Sequence, residues 1–360
     1  MRMKGKFEEI LSKLSEAFGP SGFEDEVRNI IRDELGSFCT VSHDLIGNVI
    51  CRKAGASDSP KIMLAAHMDE VGFIVQSIRA DGCASFVTLG SWRVSDLPGT
   101  VVTLMSDSGP VRGVIGSVPV HFTRQKQSGP PSMTLESLFV DFGANDREAA
   151  AGFGVKVGTP FVPETSFSRL VPGERFLGKA WDDRAGCAVM VETLKRLRDE
   201  DHPNTVFGVG TVQEEVGSRG AVVAASLVKP DISIILEGSP ANDTVQGEGA
   251  ADIRVGDGPQ IRFYDPSMLP NRSLVEMLVK TAETHGIPHQ VVVRRTGGTD
   301  GRQVQLEGAG VPCVVLSVVC RYAHSAAGLI SEKDFENTVE LLYWFLKEFD
   351  EERQREVTSF

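Results

Sequence analysis

The chain has 360 residues, 41% of them hydrophobic and 24% charged, the profile of a soluble globular protein with room for two structural units. A formal net charge of -12, with no basic run, argues against nucleic acid or an anionic membrane as a partner. No apolar stretch reaches the roughly 18 residues that a membrane span needs, and MRMKGKFEEILSKLSEAFG lacks the apolar centre of a signal peptide. Six cysteines (Cys39, Cys51, Cys83, Cys187, Cys313 and Cys320) lie scattered without C-x-x-C spacing, poor material for a disulfide framework or thiolate site. The expected location is the cytoplasm, with all six reduced.

The first segment reads as helical. Ser21 with Glu24 fits a capping box that opens a helix through about Leu35. Strands are expected near residues 41–52 and 61–66, with the Gly/Ser/Asp/Pro stretch at 55–60 as their turn. KIMLAA is short and apolar, a buried strand that delivers His67 to a sheet edge. Over residues 72–165 short runs such as GFIVQSI, TVVTLM, VRGVIG and SLFVDFG are split by Gly, Pro, Ser and Asp, with helical texture only near NDREAAAGFG. That pattern predicts a small all-β unit, a barrel or an open sandwich, inserted into a domain made of residues 1–71 and 166–360.

Helix and strand then alternate. GCAVMVETLKRLRDE reads as an amphipathic helix, NTVFGVGTVQ as a strand ending at Glu214 and Glu215, GSRGAVVAASLV as a helix, and DISIIL as a strand ending on Glu237. Ser273 with Glu276 fits a cap for a further helix that Gly286 ends. PHQVVVR and PCVVLSVV are strands, and SEKDFENTVELLYWFLKEFDEE is one long closing helix. Such alternation predicts an α/β domain around a largely parallel, buried sheet.

Four side chains follow these strands closely: His67, Glu215, Glu237 and, a few residues on, His324. Asp182 follows a shorter run. Ligands gather at the carboxyl ends of strands in such sheets, so these residues have a reason to meet. Two histidines and three carboxylates form the donor set for a pair of divalent transition metals. Asp69, two residues past His67, could take the imidazole's other N–H, or simply bond within the loop. Of Asp182 and Asp183, one can cap the next helix while the other bridges metals. Glu214 and Glu215 are adjacent after a strand, so they point apart, and Glu214 is placed to act as a base without being a ligand. His285 and His289 have i, i+4 spacing, but Gly286 and Pro288 forbid the helix that a zinc pair would require. No phosphate-loop, dinucleotide or nucleophile-elbow motif is present.

HMDEVGF, GKAWDDRAG, VQEEVGSRGA, GGTDG and RYAHS, in this order, resemble the dinuclear-metal aminopeptidases of the glutamyl/deblocking and tetrahedral (TET) family, as do VRGVIGSVPVHF and DFGANDREAAAGFGVKVG in the insertion. The resemblance implies one metal held by His67, Asp182 and Glu237, and a second held by Asp182, Glu215 and His324. It implies Glu214 as catalytic acid/base and Asp69 as the carboxylate behind His67. It further implies two zinc or cobalt ions per subunit, release of N-terminal residues from peptides, and assembly through the β insertion into dimers and hollow dodecamers. Two departures stand out. The family commonly has aspartate where this chain has Glu237, and proline-containing text where SAAG follows His324.

The expected activity is therefore that of a metalloaminopeptidase acting on peptide substrates. A related amidohydrolase acting on acylated small molecules would use the same metals. A glycosidase could draw two carboxylates from Glu214, Glu215 and Glu237 without any metal.

Overall fold

The computed structural model describes residues 7–119, 121, 133–171, 174–244 and 252–359. Residues 1–6 of the N-terminal segment, and Val120 and Phe122 of VRGVIGSVPVHF, lie outside the described residues. Two short helices open the chain, α1 (Glu8–Glu16) and α2 (Asp25–Leu35), each burying one apolar face. The capping box is not formed: the Ser21 hydroxyl donates to Asp69, 2.6 Å away, and Glu24 accepts from the backbone of Gly22 and Gln213. A buried carboxylate with backbone amides to satisfy it outcompetes a local cap.

Residues 41–52 form a hairpin rather than one strand, with β1 (Thr40–His43) antiparallel to β2 (Val49–Lys53). Asp44 turns the chain by accepting from the amides of Ile46, Gly47 and Asn48, and Gly47 supplies a φ of 110°. Next comes β3 (Lys61–His67), buried except for its first residue.

From here the chain builds a closed six-stranded barrel from β4 (Gly72–Ile78), β5 (Ala84–Leu89), β6 (Val101–Ser106), β7 (Gly109–Gly116), β8 (Phe139–Asp141) and β9 (Pro160–Pro163). Phe73 stacks on Phe161, and Phe86 meets both edge-on. Each buried phenyl contributes about 2 kcal/mol to the barrel's own core. A short α3 (Arg147–Gly152), capped by Asp146, adds Ala150 to the barrel's core.

The chain re-enters the main sheet through β10 (Ser168–Leu170) and β11 (Arg175–Gly178), then forms α4 (Trp181–Arg196). This helix is not amphipathic: every residue from Asp183 to Val191 is buried, because α1 and α8 (Glu332–Glu348) cover the side facing away from the sheet. The strands β12 (Thr205–Thr211), β13 (Ile232–Pro240), β14 (Gln260–Tyr264), β15 (Gln290–Val293), β16 (Cys313–Arg321) and β17 (Gly328–Ser331) complete an eleven-stranded sheet. At its centre β12, β3, β13 and β16 run parallel, and antiparallel strands extend it on both sides.

Helices α5 (Arg219–Val228), α6 (Arg272–Thr284) and α7 (Gly301–Val304) complete the layers. Asn271, not Ser273, caps α6 by accepting from Leu274, and Glu276 pairs with Arg272 instead. The closing helix breaks after Glu348, where Asp350 caps a separate α9 (Glu351–Thr358). Apolar clusters on both sheet faces make a three-layer α/β/α unit.

Candidate metal centre

Register brings the candidate residues to one level. Thr211 pairs with His67, and Ile235 pairs with Ala65, so Glu237 lies level with His67 across adjacent parallel strands. Glu237 does not end its strand, because β13 continues three residues to Pro240 against β16. Asp182 sits at the start of α4 in non-helical conformation (φ -88°, ψ 101°). His324 lies three residues past β16 with a φ of 58°, and Ala180, Gln213 and Tyr322 also have positive φ. Backbone strain at non-glycine residues thus concentrates around this one place, as it does at functional sites.

Donor atoms of His67, Asp182 and Glu237 lie within 4.8 Å of one another, and so do those of Asp182, Glu215 and His324. Asp182 is common to both groups and turns one oxygen to each. Its Oδ1 is 3.0 Å from His67 Nε2 and its Oδ2 is 3.3 Å from His324 Nε2. Glu237 approaches His67 Nε2 at 3.9 Å, and Glu215 approaches His324 Nε2 at 3.2 Å. Each imidazole has its Nδ1 against a backbone carbonyl, Asp69 for His67 (3.0 Å) and Ser91 for His324 (2.8 Å). Donation from Nδ1–H to these carbonyls leaves both Nε2 atoms facing the cluster.

Asp69 does more than stand behind His67, whose Nδ1 is 3.4 Å from its carboxylate. Its two oxygens accept the backbone amides of Glu214 and Glu215 at 2.9 and 3.1 Å. Asp69 therefore locks the turn that carries both glutamates. Asp183 takes the capping role left open between the two aspartates, accepting from Gly186 (2.9 Å) and from the His67 amide (3.1 Å). Buried Arg184 donates to the carbonyls of Met68, Leu14 and Gly19, tying the loop after β3 to the N-terminal segment.

Glu214 belongs to neither donor group. Its carboxylate accepts from Ser218 (2.9 Å), and burial, reinforced by Asp300, Glu215 and Asp69 against the opposing pull of His67, pushes it up to about 8. Burial also raises Glu237 well above the ordinary carboxylate range, with Asp183 and Asp182 adding to it. For His324, burial works downward but the bonds to Asp182 and Glu215 win, lifting it to about 11. Four carboxylates thus face two imidazoles in a largely buried space, an excess of negative charge that divalent cations would offset. Imidazole and carboxylate donors suit divalent transition metals, and the residues fit such ions.

The histidine pair at i, i+4 spacing plays other parts. His285 bonds Glu348 and stacks on Trp344, while His289 meets the Ile287 carbonyl. Sequence reasoning missed Ser21, Glu24 and Ser91. The first two looked like a helix cap, and a backbone carbonyl leaves no residue-type signal. The GGTDG motif reaches the same place: Gly297 and Gly298 line the cavity over the cluster, and Asp300 accepts from Thr211.

Comparison with known proteins agrees with this architecture. The model for M42 glutamyl aminopeptidases matches residues 47–341. The chain is a member of the M42 glutamyl aminopeptidase family. The glutamyl aminopeptidase of Lactococcus lactis is 34% identical over 96% of this chain and 98% of its own length. Among solved structures, a TET aminopeptidase from a marine-sediment Thaumarchaeota archaeon superposes with a TM-score of 0.93 at 40% identity, covering 98% of this chain and 99% of that one. The TET1 peptidase of Pyrococcus horikoshii, which can assemble into a tetrahedron or a large octahedral shell, gives 0.85 at 30% identity over 95% and 99%. Membership makes this M42 protein a hydrolase acting on peptides, in a family of metal-dependent enzymes. No helix among the described residues is long and apolar enough to cross a membrane.

Proposed function

We propose that this M42 peptidase is a cytoplasmic aminopeptidase that hydrolyses the N-terminal peptide bond of short peptides with two divalent ions per subunit, zinc or cobalt. The observation that carries the reading is the pair of donor groups sharing Asp182, with Glu214 beside them but outside both. His67, Asp182 and Glu237 would hold one ion, and Asp182, Glu215 and His324 the other. Bound there, the ions would supply a Lewis acid for the substrate carbonyl and a water of lowered pKa.

Glu214 takes a proton from the attacking water and passes it to the leaving amine. Asp69 positions Glu214 and Glu215 through their amides and orients His67. Ser91 orients His324 from the barrel. Purified protein stripped with a chelator should lose hydrolysis of amino-acid p-nitroanilides and regain it with zinc or cobalt. N-acetylated amino-acid amides should resist cleavage. Full activity after chelation would sink the metal-dependent reading, and preference for the acetylated substrate would replace it with the amidohydrolase.

The barrel, with residues 72–165 as a unit of its own, we assign to self-association. Support comes from its outer face, where exposed Val101 pairs with exposed Val114 and exposed Met105 with Pro110. The assembling relative supports the same reading. Light scattering should give mainly a twelve-subunit particle, with dimer as its breakdown product, and a fully active monomer would overturn the assignment.

A further inference from the structure

Three charged side chains, Glu70, Lys179 and Arg184, are buried together beside the donor groups, and none of them is a candidate ligand or the proposed base. Glu70 lies three residues past His67, Lys179 three residues before Asp182, and Arg184 two residues after it. Lys179 Nζ donates to Glu70 Oε1 at 2.5 Å, and Arg184 donates to the same oxygen at 3.3 Å. The N-terminal segment supplies further partners. Lys179 Nζ also reaches the Ala17 carbonyl at 2.9 Å, the Lys179 backbone exchanges two hydrogen bonds with the Ser15 hydroxyl, and Glu70 donates its amide to the Gly19 carbonyl. The bend that carries Asp182 is thus fastened on both sides to one carboxylate. Between these anchors Ala180 holds a φ of 56°. The bend is also pressed against Gly238, the neighbour of Glu237, where a Cβ would lie 2.0 Å from the Trp181 carbonyl oxygen.

One carboxylate facing two cations is a costly way to fill a core. Burial lowers the Lys179 ammonium against the pull of Glu70, and Arg184 adds to the lowering. Apolar side chains of similar volume commonly match or exceed a buried ion pair in stability. What the charges supply instead is direction, because a charge-assisted hydrogen bond constrains both partners in a way that an apolar contact does not. We propose that Lys179 and Glu70 are positioning residues whose ion pair sets where Asp182 stands relative to His67, and hence the spacing of the shared ligand from both ions. The inference rests on the two-ion reading above and adds to it residues that act through the ligands without touching ion or substrate.

The variant that tests it combines Lys179→Met with Glu70→Gln. It removes the pair and leaves the net buried charge unchanged, while Arg184 keeps the carbonyls of Met68, Leu14 and Gly19. Metal-free protein should then melt at or above the wild-type temperature. Titrated cobalt should nevertheless bind about tenfold or more weakly, at both sites because Asp182 is common to them. The visible spectrum of bound cobalt follows ligand geometry and should shift as well, and kcat should fall with KM little changed. Glu70→Gln alone is the gentlest change and should show the same spectral shift, which decides the matter if the double variant fails to fold. Because the two residues act through one another, either single change should cost nearly as much cobalt affinity as both together. A merely structural pair would lower the melting temperature and leave cobalt affinity and spectrum as in wild type, which overturns the inference. Unchanged melting, affinity and spectrum overturn it equally. Wild-type protein that takes up no cobalt would instead overturn the two-ion reading on which the inference stands.

Discussion

The two donor groups share Asp182 yet are built differently. His67 and Glu237 sit on adjacent parallel strands and are almost fully buried, His67 being only 2% exposed. His324 and Glu215 sit on loops, and the His324 side chain is 33% exposed. The first group is held from inside one domain, by the Asp69 carbonyl and by Asp183 on the His67 amide. The second depends on the barrel, because Ser91 orients His324. One centre therefore joins a rigid half to a half whose geometry follows the contact between two structural units. The rigid half should bind its ion more tightly, and titration with a chelator should release the ions in two steps.

Substitutions can break or sharpen this contrast. Asp182→Ala removes the shared ligand and should abolish binding of both ions, lowering kcat/KM by about three powers of ten or more. Retention of one full ion by elemental analysis would show that the groups do not share it. Glu214→Gln is the complementary case. Both ions should remain while kcat falls by roughly two powers of ten, since on the proposed roles a general base is lost and no ligand is. Metal loss in that variant would mean that Glu214 is itself a ligand.

Next in size is the contrast between the two histidines. His324→Ala should leave one ion per chain and cost the metal-free protein less stability than His67→Ala, because its side chain is 33% exposed and that of His67 only 2%. His67→Ala should also cost an ion, and in addition destabilise the metal-free protein by about 1–3 kcal/mol, because buried polar partners are left unsatisfied. Equal melting shifts for the two would erase the distinction between a core and a loop half.

The smallest effect should come from Gly90→Ala. Gly90 has a φ of 80°, and a Cβ there would lie 2.7 Å from Val71 and 3.0 Å from Glu215 Oε2. That change should disturb Ser91 and Glu215 together and weaken the second ion by about tenfold, as loss of an orienting contact does. Isothermal titration should find the first ion's affinity within about a factor of two of wild type. A larger change in the first ion than in the second would reverse the comparison.

Much of this architecture is legible in the residues themselves. Apolar runs of strand length ending on an acid or histidine announce a buried parallel sheet, because a plain core does not tolerate charge there. The frequent breaks between residues 72 and 165 announce the all-β insertion, and the ordered motifs announce the family. Local signals fail where a distant partner is stronger. Ser21 and Glu24 look like a cap but serve Asp69 and Gln213, and Ser273 yields to Asn271. Helix α4 looks half-polar but is covered on all sides.

The residue types thus determined by themselves which side chains could share divalent ions and which elements would carry them, since donor chemistry and hydrophobic period are local properties. Only tertiary structure decided that Asp182 turns one oxygen to each group, that Asp69 locks the glutamate turn, and that the barrel supplies Ser91. These depend on strand register, on backbone direction and on contacts between residues far apart in the chain, none of which a one-dimensional pattern encodes.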